Sequence, residues 1–283
     1  MLQNYLSLIK FSHTIFAMPF ALIGFFLATH HFNYGFDWSK LVLVLLCMVF
    51  ARSAAMAFNR YADRDIDAEN SRTAVREIPA GIISSQAALG FVALNCCLFV
   101  ALTYFINPLC FYLSPIALAV ILGYSYTKRF TALCHFILGL GLALAPIGAF
   151  VAVSQQFRVL PILYSIVVWL WVSGFDIIYA LQDDDFDRSK GLYSVPSRLG
   201  KANALRLSSI LHALCGAVVV YAGIYAQFGT VYFIGTALFL GLLFYQHTLV
   251  KPHDLSRVNL AFFTTNGVAS VLFAAFVLLE ILG

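Results

Sequence analysis

Along the chain, apolar residues run on for about 20 positions at a time, the length a helix needs to cross a bilayer, and short polar stretches separate the runs. The runs fall near 12–29, 41–58, 86–105, 108–126, 132–153, 160–181, 206–226, 229–249 and 259–281. This pattern predicts about nine transmembrane helices. The runs are unbroken rather than alternating, which excludes a membrane β-barrel, whose strands of about ten residues alternate polar and apolar positions. No linker, tail or low-complexity stretch divides the chain, so residues 1–283 read as a single all-α membrane domain. The first run follows Lys10 as a signal peptide would. Leu27, however, is followed by Ala-Thr-His-His rather than a small-residue cleavage pattern, which predicts an uncleaved first span.

Composition agrees: at 61% hydrophobic and 11% charged residues, the chain is too apolar for a soluble globule. The charges are also segregated. With nine spans, one side collects Lys10, Arg60, Arg64, Arg72, Arg76, Lys128, Arg129, Arg188, Lys190, Arg198, Lys201, Arg206, Lys251 and Arg257, whereas the other holds only Lys40 and Arg158. Such a bias places the charged loops on the cytoplasmic side of a bacterial-type inner membrane. The net charge of +4 is then one basic face on a neutral body, suited to anionic lipid heads, and nothing points to nucleic acid. The six cysteines sit almost wholly within predicted spans, with no C-x-x-C pair and no His at zinc-ligand spacing, and read as small core residues.

Ten of the thirteen acidic residues fall within 63–77 and 176–187. Carboxylates are costly beside a bilayer unless something cationic binds them, so two clusters ask for a shared positive partner. Asn59, Asp63 and Asp67 are spaced i, i+4, i+8 and share one face of a helix. Asp65 and Glu69 point elsewhere, towards solvent. Arg52, seven residues before Asn59, lies on the same stripe and is either an anchor for an anionic ligand or an ion-pair partner of Asp63 or Asp176. Asp183 and Asp187 repeat the i, i+4 spacing, Asp176 lies seven before Asp183, and Asp184 and Asp185 fall off that stripe. Both clusters end helices that run in the same direction, the second and sixth spans, which suggests duplication of a four-helix unit. Helix-end charge would explain one isolated Asp; two stripes of matched spacing exceed that explanation.

Carboxylate and amide oxygens without His or Cys favour Mg²⁺ or Mn²⁺ over other metals, with Ca²⁺ less suited. Mg²⁺ is typically held by few carboxylates plus substrate phosphates, so each stripe is expected to hold one ion bridging to a diphosphate. Arg72, Arg76, Lys128, Arg129 and Lys190 stand close to the clusters in sequence and suit phosphate oxygens. Positive-inside topology is the competing account of each basic residue taken alone.

Taken in order, these motifs resemble the UbiA superfamily of intramembrane aromatic prenyltransferases. The resemblance rests on N-x-x-x-D-x-x-x-D at Asn59, Asp63 and Asp67, on D-x-x-x-D at Asp183 and Asp187, on Arg52-Ser-Ala-Ala-Met-Ala-Phe-Asn59 and Arg72-Thr-Ala-Val-Arg76-Glu-Ile-Pro79-Ala-Gly81, and on Tyr124-Ser-Tyr-Thr-Lys128-Arg129. It runs from about residue 8 to past 200, and the last spans contribute only hydropathy. It implies nine helices in two four-helix groups around a central cavity open to lipid. It also implies two Mg²⁺ ions held through Asn59, Asp63, Asp67, Asp183 and Asp187, with a prenyl diphosphate between them. Lys128 matches the diphosphate-binding lysine of the family's Y-P-x-x-K-R motif, and Lys10 falls where members carry a basic residue. Three departures stand out: Arg60 where many members have Asp, Glu77 where Pro is common, and Ser125 in place of the proline of Y-P-x-x-K-R.

The expected activity is Mg²⁺-dependent transfer of a polyprenyl chain from its diphosphate to an aromatic acid of the 4-hydroxybenzoate type, in quinone biosynthesis. Asp63, Asp67, Asp183 and Asp187 are the catalytic candidates, with Arg52 and Asp176 the candidates for holding the acceptor. A dihydroxynaphthoate acceptor in a menaquinone route is the alternative within the same chemistry. A cation-coupled transporter is the rival from another class. Transporters place their acids near the membrane midplane, often at broken helices, whereas these gather at one face beside arginines. Chain length and oligomeric state are not legible from the residues.

Overall fold

The computed structural model describes residues 2–9 and 16–283. Lys10 and the start of the first predicted span lie outside the described residues. Among the described residues, eight helices are long and apolar enough to cross a membrane, and Met18–His31 forms a shorter apolar one. In chain order the elements are α1 (Leu2–Leu8), α2 (Met18–Phe26, prolonged by a π-helical turn to His31), α3 (Trp38–Ala62), α4 (Arg64–Glu69), α5 (Ser85–Ile106), α6 (Pro108–Thr127), α7 (Cys134–Ser154), α8 (Val159–Ala180), α9 (Asp184–Ser189), α10 (Val195–Leu199), α11 (Lys201–Ala226), α12 (Thr230–Leu249) and α13 (Asn266–Leu282). From the second onwards, the predicted spans match these helices within about five residues at either end. The short helix α1 carries no span-length signal and was not anticipated.

Capping residues fix the ends. Asp37 accepts hydrogen bonds from the Ser39 and Lys40 backbone N–H groups at the start of α3, and Ser84 accepts from Ala87 at the start of α5. Asn107, followed by Pro108 at the first helical position, accepts from the Cys110 N–H, while its own amide donates to the Val151 and Ala152 carbonyls at the end of α7. One side chain thus starts α6 and stops α7.

Consecutive long helices pack as antiparallel neighbours (α3 on α5, α5 on α6, α6 on α7, α7 on α8, α8 on α11, α11 on α12, α12 on α13), and α2 closes against both α13 and α7. Gly24 permits the α2–α7 approach, because a Cβ there would run into the Pro146 carbonyl. Trp171, Tyr164, Tyr232, Phe20, Phe239 and Phe273 fill the centre, and Trp171 Nε1 donates to Asn266 Oδ1 at 2.9 Å, satisfying its only polar atom.

The acidic stripes are not continuous helix. α3 ends at Ala62 and resumes as α4 after Asp63; α8 ends at Ala180, passes through a 3₁₀ turn at Leu181–Asp183, and resumes as α9. The i→i+4 relation survives the first break, since the Asp67 N–H donates to the Asp63 carbonyl at 2.7 Å.

Candidate active site

The two acidic segments and three basic loops converge at one end of the bundle. Asp63 is 2% exposed. Its Oδ2 lies 2.7 Å from Lys128 Nζ and accepts from Asn59 Nδ2 at 3.1 Å. Arg129 approaches Oδ1 at 3.7 Å and donates to the Ala62 carbonyl, tying the end of α6 to the end of α3. Burial pushes the Asp63 carboxyl above its ordinary value, against the opposite pull of Lys128. Its buried Oδ1 has no hydrogen-bond partner.

Asp67 is buried and accepts from Arg76 Nη1 at 2.7 Å through both oxygens. The loop that follows reaches across to the second cluster. Asp183 accepts from Arg72 Nε at 3.0 Å, from Arg72 Nη2 at 2.5 Å and from Asn70 Nδ2 at 3.0 Å. Burial works to lower the Arg72 pKa, but the Asp183 carboxylate outweighs it and the guanidinium is held above its ordinary value. Arg72 also donates to the Tyr179 hydroxyl at 3.2 Å and lies over that ring. Asp187 is half-buried and within electrostatic reach of Asp183 and Lys128. The Tyr193 N–H donates to the Lys128 carbonyl at 2.7 Å, joining the second acidic loop to α6.

Asn59, Asp63, Asp67, Asp183, Asp187, Lys128, Arg129, Arg72 and Arg76 are therefore brought together. Others stand differently. Lys190 pairs with Glu69, so Glu69 is not simply solvated, and the exposed Asp65 lies 3.5 Å from Arg64. Asp184, off the predicted stripe, is buried and held by Arg188 at 2.8 Å. Asp176 accepts from His135 Nδ1 at 2.7 Å; the His135 Nε2 accepts from the Val195 N–H at 3.2 Å, which assigns the ring proton to Nδ1. No ion pair joins Arg52 to Asp63 or Asp176 among the described residues, and its Nε has no hydrogen-bond partner. The ion-pair alternative for Arg52 is thus not what the structure holds.

Arg52 instead faces a cavity of about 340 Å³ walled by α3, α5, α6 and α7. The cavity is almost wholly apolar, and its charged end is formed by Arg52, Met56 and Tyr124. Tyr124 lies within electrostatic reach of Arg52, Asp63 and Asp176, so this mouth borders the acidic site. Sequence reasoning missed Asn70 and His135 as partners of the clusters. Asn70 follows the first stripe closely enough to have been considered, whereas nothing in the spacing marks His135.

The residues fit a hydrated hard cation. Their donors are oxygen only, and one buried carboxylate oxygen is unsatisfied. Among the described residues no three His, Cys, Asp or Glu side chains form a preformed cage. Oxygen donors of this kind suit Mg²⁺, which keeps waters and takes few carboxylates together with substrate phosphates. Lys128, Arg72 and Arg76 neutralise the carboxylates meanwhile.

Comparison with known proteins bears on the family and the fold. The model of the UbiA prenyltransferase family matches residues 17–268. The chain is 31% identical to the 4-hydroxybenzoate octaprenyltransferase of Aliivibrio fischeri (strain MJ11), over 84% of this chain and 83% of that one. It is 33% identical to the enzyme of the same description from Nitrosomonas eutropha, over 84% and 83%. Among solved structures, the apo UbiA homolog from Aeropyrum pernix K1 superposes with a TM-score of 0.85 at 33% identity, covering 95% of this chain and 98% of that one. The UbiA homolog from Archaeoglobus fulgidus, bound to GPP and Mg²⁺, shares the fold with a TM-score of 0.76 at 21% identity, over 99% and 100%.

Proposed function

The chain belongs to the UbiA prenyltransferase family, and from that premise we propose that it transfers a polyprenyl chain from its diphosphate to an aromatic acid of the 4-hydroxybenzoate type, with two Mg²⁺ ions, in quinone biosynthesis. The observation that carries this reading is the setting of Arg52: a guanidinium with no ion-pair partner among the described residues lines apolar space together with Tyr124, one helical turn before Lys128, which is already set against Asp63. A diphosphate needs the lysine, an isoprenoid tail needs the cavity, and an acceptor carboxylate needs the guanidinium.

Each residue then has a defined task. Lys128, Arg129, Arg72 and Arg76, paired with carboxylates in the structure, turn to the diphosphate oxygens when substrate enters. Mg²⁺, held through Asn59, Asp63, Asp67, Asp183 and Asp187, supplies Lewis-acid stabilisation of the departing diphosphate. The allylic C–O bond breaks with its electron pair going to the diphosphate; the electron-rich ring forms the new C–C bond and loses its proton. Fixed positive charge aimed at the leaving group is the main catalytic contribution of the chain. Apolar walls exclude the water that would otherwise capture the allylic cation. Arg52 anchors the acceptor. Asp176 acts through His135, which holds the Val195 backbone of the second acidic loop in place. The charged end faces the cytoplasm of a bacterial-type inner membrane, following the basic bias of its loops. Lys10 lies outside the described residues, and its role as a further diphosphate ligand rests on the sequence resemblance alone.

Purified protein supplied with Mg²⁺, a polyprenyl diphosphate and a panel of aromatic acceptors, read by mass spectrometry, tests the proposal. A prenylated 4-hydroxybenzoate is the expected product. Prenylated dihydroxynaphthoate alone moves the assignment to the menaquinone-type acceptor; diphosphate-independent ion flux without any product overturns the enzyme's proposed role.

A further inference from the structure

We infer that Gly148 is the specificity-determining residue for prenyl chain length: its missing side chain keeps open the deep part of the apolar cavity. The inference rests on the reading of that cavity as the tail site. Glycines in these helices fall into two kinds. Gly24, Gly139, Gly174 and Gly223 are packing residues, since a Cβ at each would collide with a neighbouring helix. Gly148 lies inside α7 with nothing within 4 Å of the position a Cβ would take, and the space before it is the cavity. A glycine in a helix interior weakens the helix and is retained where something must fit against it. Here no protein atom does.

Its depth follows from the helix rise. Gly141, also on the cavity wall, would place a Cβ 3.5 Å from Ile121, which fixes its level against α6. Gly148 is two turns further along α7, about 10 Å deeper at the α-helical rise of about 1.5 Å per residue. Beyond it the lining continues through Val44, Cys110 and Val151. A short isoprenoid anchored by its diphosphate at the Arg52–Tyr124 mouth ends above this level, whereas a longer one must pass it. The other lining residues at this depth, Ser114, Thr103 and Ala145 among them, already carry side chains, so Gly148 is the lining glycine at this level where one substitution adds bulk into empty space.

The experiment compares wild type with Gly148→Phe, using Gly90→Phe as control, because Gly90 also has nothing within 4 Å of its Cβ position but does not line the cavity. The non-hydrolysable thiolodiphosphates of geranyl, farnesyl and geranylgeranyl chains are bound in the presence of Mg²⁺ and read by thermal stabilisation and affinity. The expected result is wild-type binding that tightens with chain length. Gly148→Phe keeps geranyl affinity and loses about tenfold or more for geranylgeranyl, the discrimination an apolar pocket wall gives; Gly90→Phe follows wild type. Equal loss at all lengths, unchanged geranylgeranyl binding by Gly148→Phe, or absence of any stabilisation of the wild type overturns the inference. Because binding is read without an acceptor, a failed acceptor panel overturns the proposed reaction and leaves this test intact.

Discussion

Asp63 and Asp183 occupy equivalent breaks in their helices, with backbone angles of φ −94°, ψ 2° and φ −105°, ψ 4°. Each follows a long apolar helix and precedes a helix of six residues that carries the second aspartate of its pair. The repeated local geometry, and not only the repeated D-x-x-x-D spacing, supports descent of the two halves from one unit. It also has a chemical consequence: a break at the first aspartate lets the stripe leave the membrane helix and turn over the cavity mouth.

The clearest test of those stripes is charge removal at constant shape. Asp63→Asn leaves Lys128 without its carboxylate and removes the charge of a proposed ligand; Asp187→Asn removes the charge of a proposed ligand on the second stripe. Each variant is expected to lose about 100-fold or more in turnover, the magnitude that follows loss of one preorganised charged contact at a developing anion. Prenyl transfer assayed in membranes with matched amounts of folded protein measures it, and near-normal transfer by either variant would remove the metal assignment.

Arg72 carries two roles that substitution can separate. It bridges to Asp183 through two nitrogens and touches Tyr179 with a third, a fork that Lys lacks. Arg72→Lys is therefore expected to behave nearly as Arg72→Ala, each weakening kcat/KM for the prenyl diphosphate by about 10- to 100-fold, one to two factors of about 1.4 kcal/mol. Recovery of wild-type kinetics by Arg72→Lys would show that charge alone suffices.

His135→Ala tests a structural link that sequence gave no sign of. The change leaves the Asp176 carboxylate without its donor and the Val195 N–H without its acceptor. Both losses fall in buried or half-buried surroundings, and a cost of about 2–3 kcal/mol is expected. A lowered melting temperature in detergent, with turnover per folded molecule reduced through the displaced 183–197 loop, is the predicted signature.

What was legible in the sequence follows the physics of each signal. Spans such as 86–105 could be read because a bilayer demands an uninterrupted apolar run, and the structure returns Ser85–Ile106. The carboxylate stripes were readable because helical periodicity puts Asn59, Asp63 and Asp67 on one face before any tertiary contact forms. The breaks at Asp63 and Asp183 were not, since nothing in Asp or its neighbours forbids a helix there; the break is imposed by partners far along the chain, Lys128 and Arg72. Asn70 and His135 were missed for the same reason, as their roles exist only once loops 70–83 and 190–197 are brought over the site. Arg60, Glu77 and Ser125, the three departures from the family pattern, are all buried, and Ser7 of α1 donates to Glu77 at 2.5 Å. Their lesson is that a substitution within a motif can serve an element, α1, that the motif does not contain.

Two glycines of the same bundle should respond oppositely to one methyl group. Gly24→Ala drives a Cβ into the Pro146 backbone, which cannot move without shifting α7, and is expected to destabilise by about 1–3 kcal/mol. Gly148→Ala meets nothing within 4 Å and gains helix propensity, so a stabilisation of about 0.5–1 kcal/mol is expected. Melting temperatures of the two variants in one detergent decide it, and equal shifts would sink the assignment of Gly24 to helix contact.

Metal removal separates catalysis from folding. In many metal proteins the ion neutralises carboxylates that would otherwise repel each other, so chelation lowers stability as well as activity. Here the carboxylates already have basic partners: Asp63 with Lys128, Asp67 with Arg76, Asp183 with Arg72. Chelation with EDTA is therefore expected to stop prenyl transfer completely while leaving the melting temperature unchanged, and Mg²⁺ or Mn²⁺, suited to oxygen donors, should restore turnover. A large fall in melting temperature on chelation would mean that the basic side chains do not hold these acids in solution, and the proposed exchange of Lys128, Arg72 and Arg76 from carboxylate to diphosphate would fall with it.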